Sequence, residues 1–351
     1  MEHSLLQILR CPLTKKELRL QVLSEFERKY GNRTIREIKD GVLFSDAGLI
    51  FPVIDGIPRM LIEAFEDYAA WFEQNYPDYE TAKKDILQKY PGLIAHCLRK
   101  NRRTKKSFAL EWSLLNYKKQ DKIWHDDAQG IEELFFRESL ESPTSLKEKS
   151  VIDVGCGHGL NTTAVGKYCK NIVGVELGRA VENAYANNTL ENVSFVQADL
   201  QFLPFAENTF DLLLSGGVIH HTTNTELSFC QVETILIPGG KICLWLYHPV
   251  NDFLHNAIDA LRRVTSKLPV RLQFFLYLIF IFPVTYSVKR IKGRRINWRE
   301  EMIDLMDSLS PEFRWEHTHD EAASWLQKKG YSDIRITTDV RFGFSITGQK
   351  P

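Results

Sequence analysis

Between Val151 and Gly159 the chain reads VIDVGCGHG, an apolar β-branched run closed by glycines at 155, 157 and 159. Such a run ends a strand, and glycines there let the backbone turn sharply and approach a ligand with no Cβ in the way. The spacing is GxGxG, not the GxGxxG of dinucleotide loops, and no GK[ST] follows, so neither a pyrophosphate nor a P-loop nucleotide is indicated. Glu176 stands 21 residues after Gly155, at the end of the run NIVGVE. At that spacing a carboxylate meets ribose hydroxyls, and one carboxylate accepts from both hydroxyls of a diol. Asp199 closes a third run, VSFVQAD, where an acid either contacts a ligand or caps the next helix. His220 and His221 follow a fourth run, FDLLLSGGVI, and Tyr247 and His248 end a fifth, KICLWLYH. Imidazole and phenol are groups that move protons. Neighbouring side chains are expected to point different ways, so one histidine should face a pocket, with His221 preferred. Glu316, His317 and His319 form a later cluster in WEHTHDE, where capping of the last helix competes with chemistry.

The elements that must position these groups alternate between strand and helix from Val151 to Tyr247, as a parallel sheet requires. After the insertion that follows, a helix (DEAASWLQKKG) and two strands (SDIRITT, GFSITGQ) close the chain and should form an antiparallel hairpin. Apolar residues make up 44% of 351, enough for a sizeable core. Lys plus Arg equals Asp plus Glu at 45 each, which argues against nucleic-acid binding driven by overall charge. The six cysteines form no CxxC pair, so no metal or redox site is expected; reduced thiols fit a cytoplasmic protein. The first residues do not read as a signal peptide.

DVGCGHG resembles the first motif of class I S-adenosylmethionine-dependent methyltransferases, and the four later strand ends fall in that family's order. The resemblance implies an α/β fold: a Rossmann-like seven-stranded sheet flanked by helices, with a small N-terminal α+β module and a helical insertion. It implies S-adenosylmethionine as cofactor, held by Asp153, Gly155, Cys156, Gly157, Gly159, Glu176, Leu177, Asp199, Leu200, Ser215 and Gly216. Glu176 would take the ribose, and Asp199 the adenine amino group with Leu200 beside the ring. Pro238-Gly239-Gly240 would turn the chain into the fifth strand. His221, His220 and Tyr247 are the candidates for acid–base work on an acceptor. Two absences narrow that acceptor. Ser215-Gly-Gly-Val replaces the Asn/Asp-Pro-Pro-aromatic run of adenine and glutamine methylation, and no Pro-Cys pair is placed to attack a pyrimidine.

Residues 1–65 resemble a small zinc-ribbon-like domain known as an activator of tRNA and protein methyltransferases, in "LLQILRCP" and "GLIFPVIDGIPRML". Only Cys11 remains of the ribbon's four cysteines, so zinc is not expected and the module reads as structural or as a docking surface. Residues 66–145 read as a helical linker and cofactor-covering region. Within it KNRRTKK (100–106) reads as a solvated linker, and Phe108, Trp112 and Leu115 as one helical face. Residues 146–250 are the cofactor-binding core, 251–315 a helical lid and 316–351 the end of the core. Leu272–Val288 contains no charged residue and is short for a spanning helix. It is either a buried hairpin or an apolar lid at a membrane interface, with the cations Arg262, Arg263, Lys267, Arg271, Lys289, Arg290, Lys292, Arg294 and Arg295 on its flanks. The expected acceptor is an O, N or C nucleophile of a small apolar or lipid-linked metabolite, with peripheral membrane contact through 262–295. The alternatives are an RNA methyltransferase and a cofactor-binding interaction protein without catalysis.

Overall fold

The computed structural model describes residues 1–113, 128–250, 252–294 and 296–351. The side chain of Trp112, Leu115 and Arg295 lie outside them, so Phe108 alone represents the expected apolar helix face.

Eleven strands in the described residues form two sheets. β1 (Arg19–Tyr30), β2 (Arg33–Phe44), β3 (Ile50–Ile54) and β4 (Ile57–Pro58) make an antiparallel sheet in chain order. The second sheet holds β5 (Ser150–Val154), β6 (Asn171–Glu176), β7 (Val193–Gln197), β8 (Phe210–Gly216), β9 (Leu236–Tyr247), β10 (Ser332–Val340) and β11 (Gly343–Gln349). Its order is β10-β11-β9-β8-β5-β6-β7, parallel from β9 to β7. β11 runs antiparallel to both β9 and β10, forming the expected terminal hairpin. This is the Rossmann-like methyltransferase architecture, seven strands with helices between them.

The central strands are buried on both faces, which is why they read as continuous apolar runs. Alternation still sorts them: Ile152 and Val154 join one core cluster, Val151 the other. Chain order reverses at β5, which pairs with β6 on one side and β8 on the other. The crevice at that switch point, beyond the strands' carboxyl ends, is where open α/β sheets bind ligands.

The N-terminal residues are welded to this core. Leu9, Phe51 and Phe65 share one cluster with Val154, Val196 and Phe205. β7, at the sheet's edge, receives the Met60 amide on the Gln197 carbonyl at 2.7 Å, and Arg59 bridges Gln197 in parallel. β1 is long, charged and mostly exposed or half-buried, while β2 is exposed at its start and buried at its end, where Val42 and Leu43 lead toward β3.

The KNRRTKK stretch is no linker. It lies inside the helix Pro91–Ser113. Lys100 pairs with Asp199 at 2.5 Å, and Lys105 pairs with Glu63 at 2.9 Å and Asp67 at 2.5 Å. Carboxylates distant in sequence turn this basic run into a contact surface. The insertion forms the helix Phe253–Thr265, a rod from Val270 to Ile291 with a π-turn at Tyr277–Ile281, and the helix Trp298–Leu309. An Asn297/Glu300 capping box starts the last of these. The rod is not a buried hairpin: one face packs inward and the other is exposed.

Candidate functional site

The glycine turn is built as its residues require. Gly155, Gly157 and Gly159 take φ of +84°, +52° and +74°, values that glycine alone adopts freely. The Gly155 and Cys156 amides bond back to the Val175 carbonyl at 2.7 and 2.9 Å, folding the turn over the tip of β6. Gly159 opens the helix Leu160–Gly166. A Cβ on Gly159 would lie 2.7 Å from the Phe195 ring, and one on Gly155 would strike Val218. Cys156 fills space beside Gly174, and burial pushes its thiol pKa up.

Glu176 meets this turn directly. Its carboxylate accepts from the Gly157 amide at 3.2 Å and the Gly178 amide at 2.7 Å. Burial pushes its pKa up, while the amides of Gly178, Gly157 and Leu177 pull it down. A carboxylate has about four lone-pair sites, so two amides leave room for the two hydroxyls of a diol. Asp153, below the turn, accepts from the Thr162 hydroxyl at 2.6 Å, and burial raises its pKa to about 6. Ser215 donates to the Val154 carbonyl at 3.0 Å, tying β8 to β5. A Cβ at Gly216 would have nothing within 4 Å, so the backbone at the end of β8 is open. These residues fit an adenosyl amino acid.

Asp199 is more heavily engaged. One oxygen caps the 3-10 turn Leu200–Phe202 through the Gln201 amide at 3.0 Å. The other accepts from Lys100 at 2.5 Å and Asn101 at 3.1 Å. Leu200 is half-buried beside it, and Leu177 is held through its carbonyl by Gln197 at 3.0 Å.

The histidine pair departs from expectation. Ile219–His221 is a 3-10 turn, so strand alternation does not apply, and both rings lie together 4.4 Å apart. The Tyr247 ring stands 4.3 Å from His220 and 5.7 Å from His221. His220 is fully buried, neither ring nitrogen has a hydrogen-bond partner, and burial drives its pKa well below 6.5. His221 Nδ1 lies 2.9 Å from the Phe313 carbonyl oxygen. A carbonyl only accepts, so Nδ1 carries the proton and Nε2 the lone pair. Nε2 has no hydrogen-bond partner and lies 3.8 Å from Asp307. Burial lowers this pKa too, against the opposing pull of Asp307. Both imidazoles are therefore neutral near pH 7.

Of the groups around them, Asp307 and Arg314 are not legible in the sequence, whereas Phe108 reads as part of an apolar helix face. Asp307, from the insertion, accepts from the Tyr247 hydroxyl at 2.5 Å. The Arg314 guanidinium covers the Tyr247 ring at 4.1 Å, and Phe108 packs edge-on against His221. The Trp315 amide bonds to the His220 carbonyl at 3.0 Å and the His317 amide to the Tyr247 carbonyl at 2.8 Å, lacing the insertion's end to β9 and the histidine turn. His317 itself faces Thr225 and Glu321, Glu316 joins His255 and Arg314, and His248 stacks on His319. Thr318 caps the last helix. Among the described residues no cluster of three or more His, Cys, Asp or Glu could hold a metal.

Residues 152–244 match the family model described as "Methyltransferase domain". The ubiquinone/menaquinone biosynthesis C-methyltransferase of Cellvibrio japonicus is 25% identical over 144 residues, 37% of this chain and 56% of that protein. The ubiquinone biosynthesis O-methyltransferase of Coxiella burnetii is 26% identical over 106 residues, 29% and 45% of the two chains. The chain spans about half the length of the curated relatives it matches. Among solved structures, an S-adenosylmethionine-dependent methyltransferase from Mesorhizobium loti superposes with a TM-score of 0.41 at 15% identity, over 64% of this chain and 100% of that one. The sheet order and the glycine turn agree with that match: residues 152–244 of this chain form a methyltransferase domain.

Proposed function

We propose that this protein transfers a methyl group from S-adenosylmethionine to an O, N or C nucleophile of a small apolar or lipid-linked acceptor. The observation that carries the reading is the junction of Glu176 with the glycine turn, where a buried carboxylate keeps lone pairs free beside bare backbone. Glu176 would hold the ribose hydroxyls, with Gly155, Cys156 and Gly157 lying along the amino-acid end and Asp153 fixing the turn beneath. Gly159 lets the following helix pack close. Asp199, Leu200 and Leu177 would border the adenine, and Ser215 and Gly216 would floor the crevice.

The bound sulfonium supplies an activated methyl group, so the protein's task is alignment and exclusion of water. His221 suits the role of general base, since its lone pair sits on Nε2, its other nitrogen is pinned by Phe313, and burial keeps it neutral. Tyr247 and Asp307 fix the wall opposite it. His220, buried without partners, would give a polar acceptor a hydrogen bond that the protein itself does not satisfy. The relatives named for quinone methylation favour a lipid-linked acceptor. A cytoplasmic protein in peripheral contact with a membrane through 262–295 belongs to the same reading.

Calorimetry with S-adenosylmethionine should show one site per chain. Labelled methyl from that donor should pass to a component of a lipid extract and not to total RNA. Transfer to RNA would replace the acceptor class. Binding without transfer to either would leave an interaction protein, and failure to bind would end the assignment.

A further inference from the structure

The rod from Val270 to Ile291 exposes large apolar side chains along one side: Phe275, Ile279, Phe280, Val284, Val288 and Ile291. Phe280 is 69% exposed and Ile291 85%. Steps of four join 275 to 279 and 284 to 288, and the step of five between 279 and 284 falls on the π-turn at Tyr277–Ile281. A π-turn takes up one extra residue, so it keeps both halves of the stripe on one face across Pro283. Apolar residues so exposed and so aligned mark a contact surface.

The opposite face is fixed to the protein. Gln273 donates to the Thr265 carbonyl at 2.9 Å, and Tyr277 donates to Thr265 Oγ1 at 2.8 Å and the Leu309 carbonyl at 3.1 Å. Lys289 pairs with Glu301 at 2.6 Å and Asp304 at 3.1 Å. A helix tied down by buried polar groups along its length cannot leave the protein to span a bilayer. It lies flat.

The charges at its ends sort in the same way. Arg262 and Lys289, half-buried, are engaged with Asp259 and with Glu301 and Asp304. Lys267 and Arg271 before the stripe, and Arg290, Lys292 and Arg294 after it, are exposed. Formal net charge is zero, so this concentration of cations is local to the stripe. A single convex helix face offers a folded partner little shape to grip. A fluid layer with an apolar interior and an anionic rim matches both its surface and its charge.

We propose that the outward face of Val270–Ile291 lies in the plane of an anionic membrane leaflet, with the exposed cations at its two ends on the lipid headgroups. The same rod is anchored to the helix that supplies Asp307, because Tyr277 holds the Leu309 carbonyl at that helix's end. Membrane contact would thus bring a lipid-borne acceptor to the site without the acceptor crossing bulk water. Delivery of an acceptor rests on the methyl-transfer reading, whereas the docking itself is read from the rod's exposed face and charges.

The test is sedimentation of the full chain with phosphatidylcholine vesicles, with and without one part in three of phosphatidylglycerol. Binding should be at least about tenfold tighter to the anionic vesicles and should weaken with salt. Phe275→Glu with Phe280→Glu, and separately Arg290→Glu with Lys292→Glu and Arg294→Glu, should each reduce it about tenfold or more. All these side chains are exposed, and unchanged circular dichroism and solution affinity for S-adenosylmethionine would show the fold and cofactor site intact. No binding to either vesicle, or binding that neither variant alters, overturns the proposal. A stable dimer dispersed by the phenylalanine variant would also overturn it, assigning the stripe to a second copy. Cofactor affinity is read without vesicles, so failure here is distinct from failure of the methyltransferase assignment.

Discussion

The two halves of the site are made differently. Around Glu176 the chain works with backbone: three glycines at positive φ, two amides on one carboxylate, and the acid beneath held by a threonine hydroxyl. Around His220 and His221 it works with side chains from remote segments, and imidazole nitrogens are buried without hydrogen bonds. Burying a polar atom unpartnered costs about 1–3 kcal/mol. A bound polar group that reached these nitrogens would remove that cost. The proposed cofactor half thus fixes its own backbone turn, whereas the proposed acceptor half leaves the His220 ring nitrogens without a hydrogen bond.

The sharpest way to break this contrast is to remove the base. His221→Ala should lower kcat by about 10²–10⁴-fold with cofactor affinity nearly unchanged; equal losses in both would show that His221 only supports the fold. The intact enzyme's pH–rate profile carries the matching signature. Burial holds the His221 pKa below 6.5, so the base is unprotonated above that pH. The rate should be flat from there upward and fall only on acidification.

Glu176→Ala acts on the other half. Losing two charge-assisted hydrogen bonds to a diol, about 3 kcal/mol in all, should weaken S-adenosylmethionine by about 100-fold in calorimetry. Affinity within a few-fold of the native value would move the cofactor elsewhere. Gly159→Ala tests whether the turn's shape is indispensable. At φ +74° and with Cβ 2.7 Å from the Phe195 ring, it should cost about 1–3 kcal/mol of stability, read as a lower Tm.

The smallest effect concerns the adenine end of the proposed cofactor half. Lys100 and Asn101 now use the Asp199 oxygen that an adenine amino group would seek. Lys100→Met should tighten cofactor binding severalfold if the two compete. Weaker binding would show instead that Lys100 stays and shapes the adenine wall.

Sequence reading reached the glycine turn and its junction with Glu176 because their parts are local. The glycines lie within five residues, and Glu176 ends the next strand. The acceptor half resisted for two reasons. Asp307 and Arg314 come from an insertion whose packing no short pattern announces, and the histidines sit in a 3-10 turn, where the alternation used to separate them has no force. Charge misled in a similar way at 100–106, where basic residues that read as solvated are ion-paired with acids brought close only by the fold. β1 and the start of β2 escaped notice because exposed strand segments need no apolar run, whereas the end of β2, Val42 to Phe44, carries one.

One consequence follows from the Met60–Gln197 contact. A sheet's outermost strand offers bare amides and carbonyls to any passing chain, a standing invitation to aggregate. Here Arg59 and Met60 pair with Gln197 and cover the end of β7. Removing the N-terminal residues should leave that strand end open to pairing with other chains, although they contribute none of the proposed site residues.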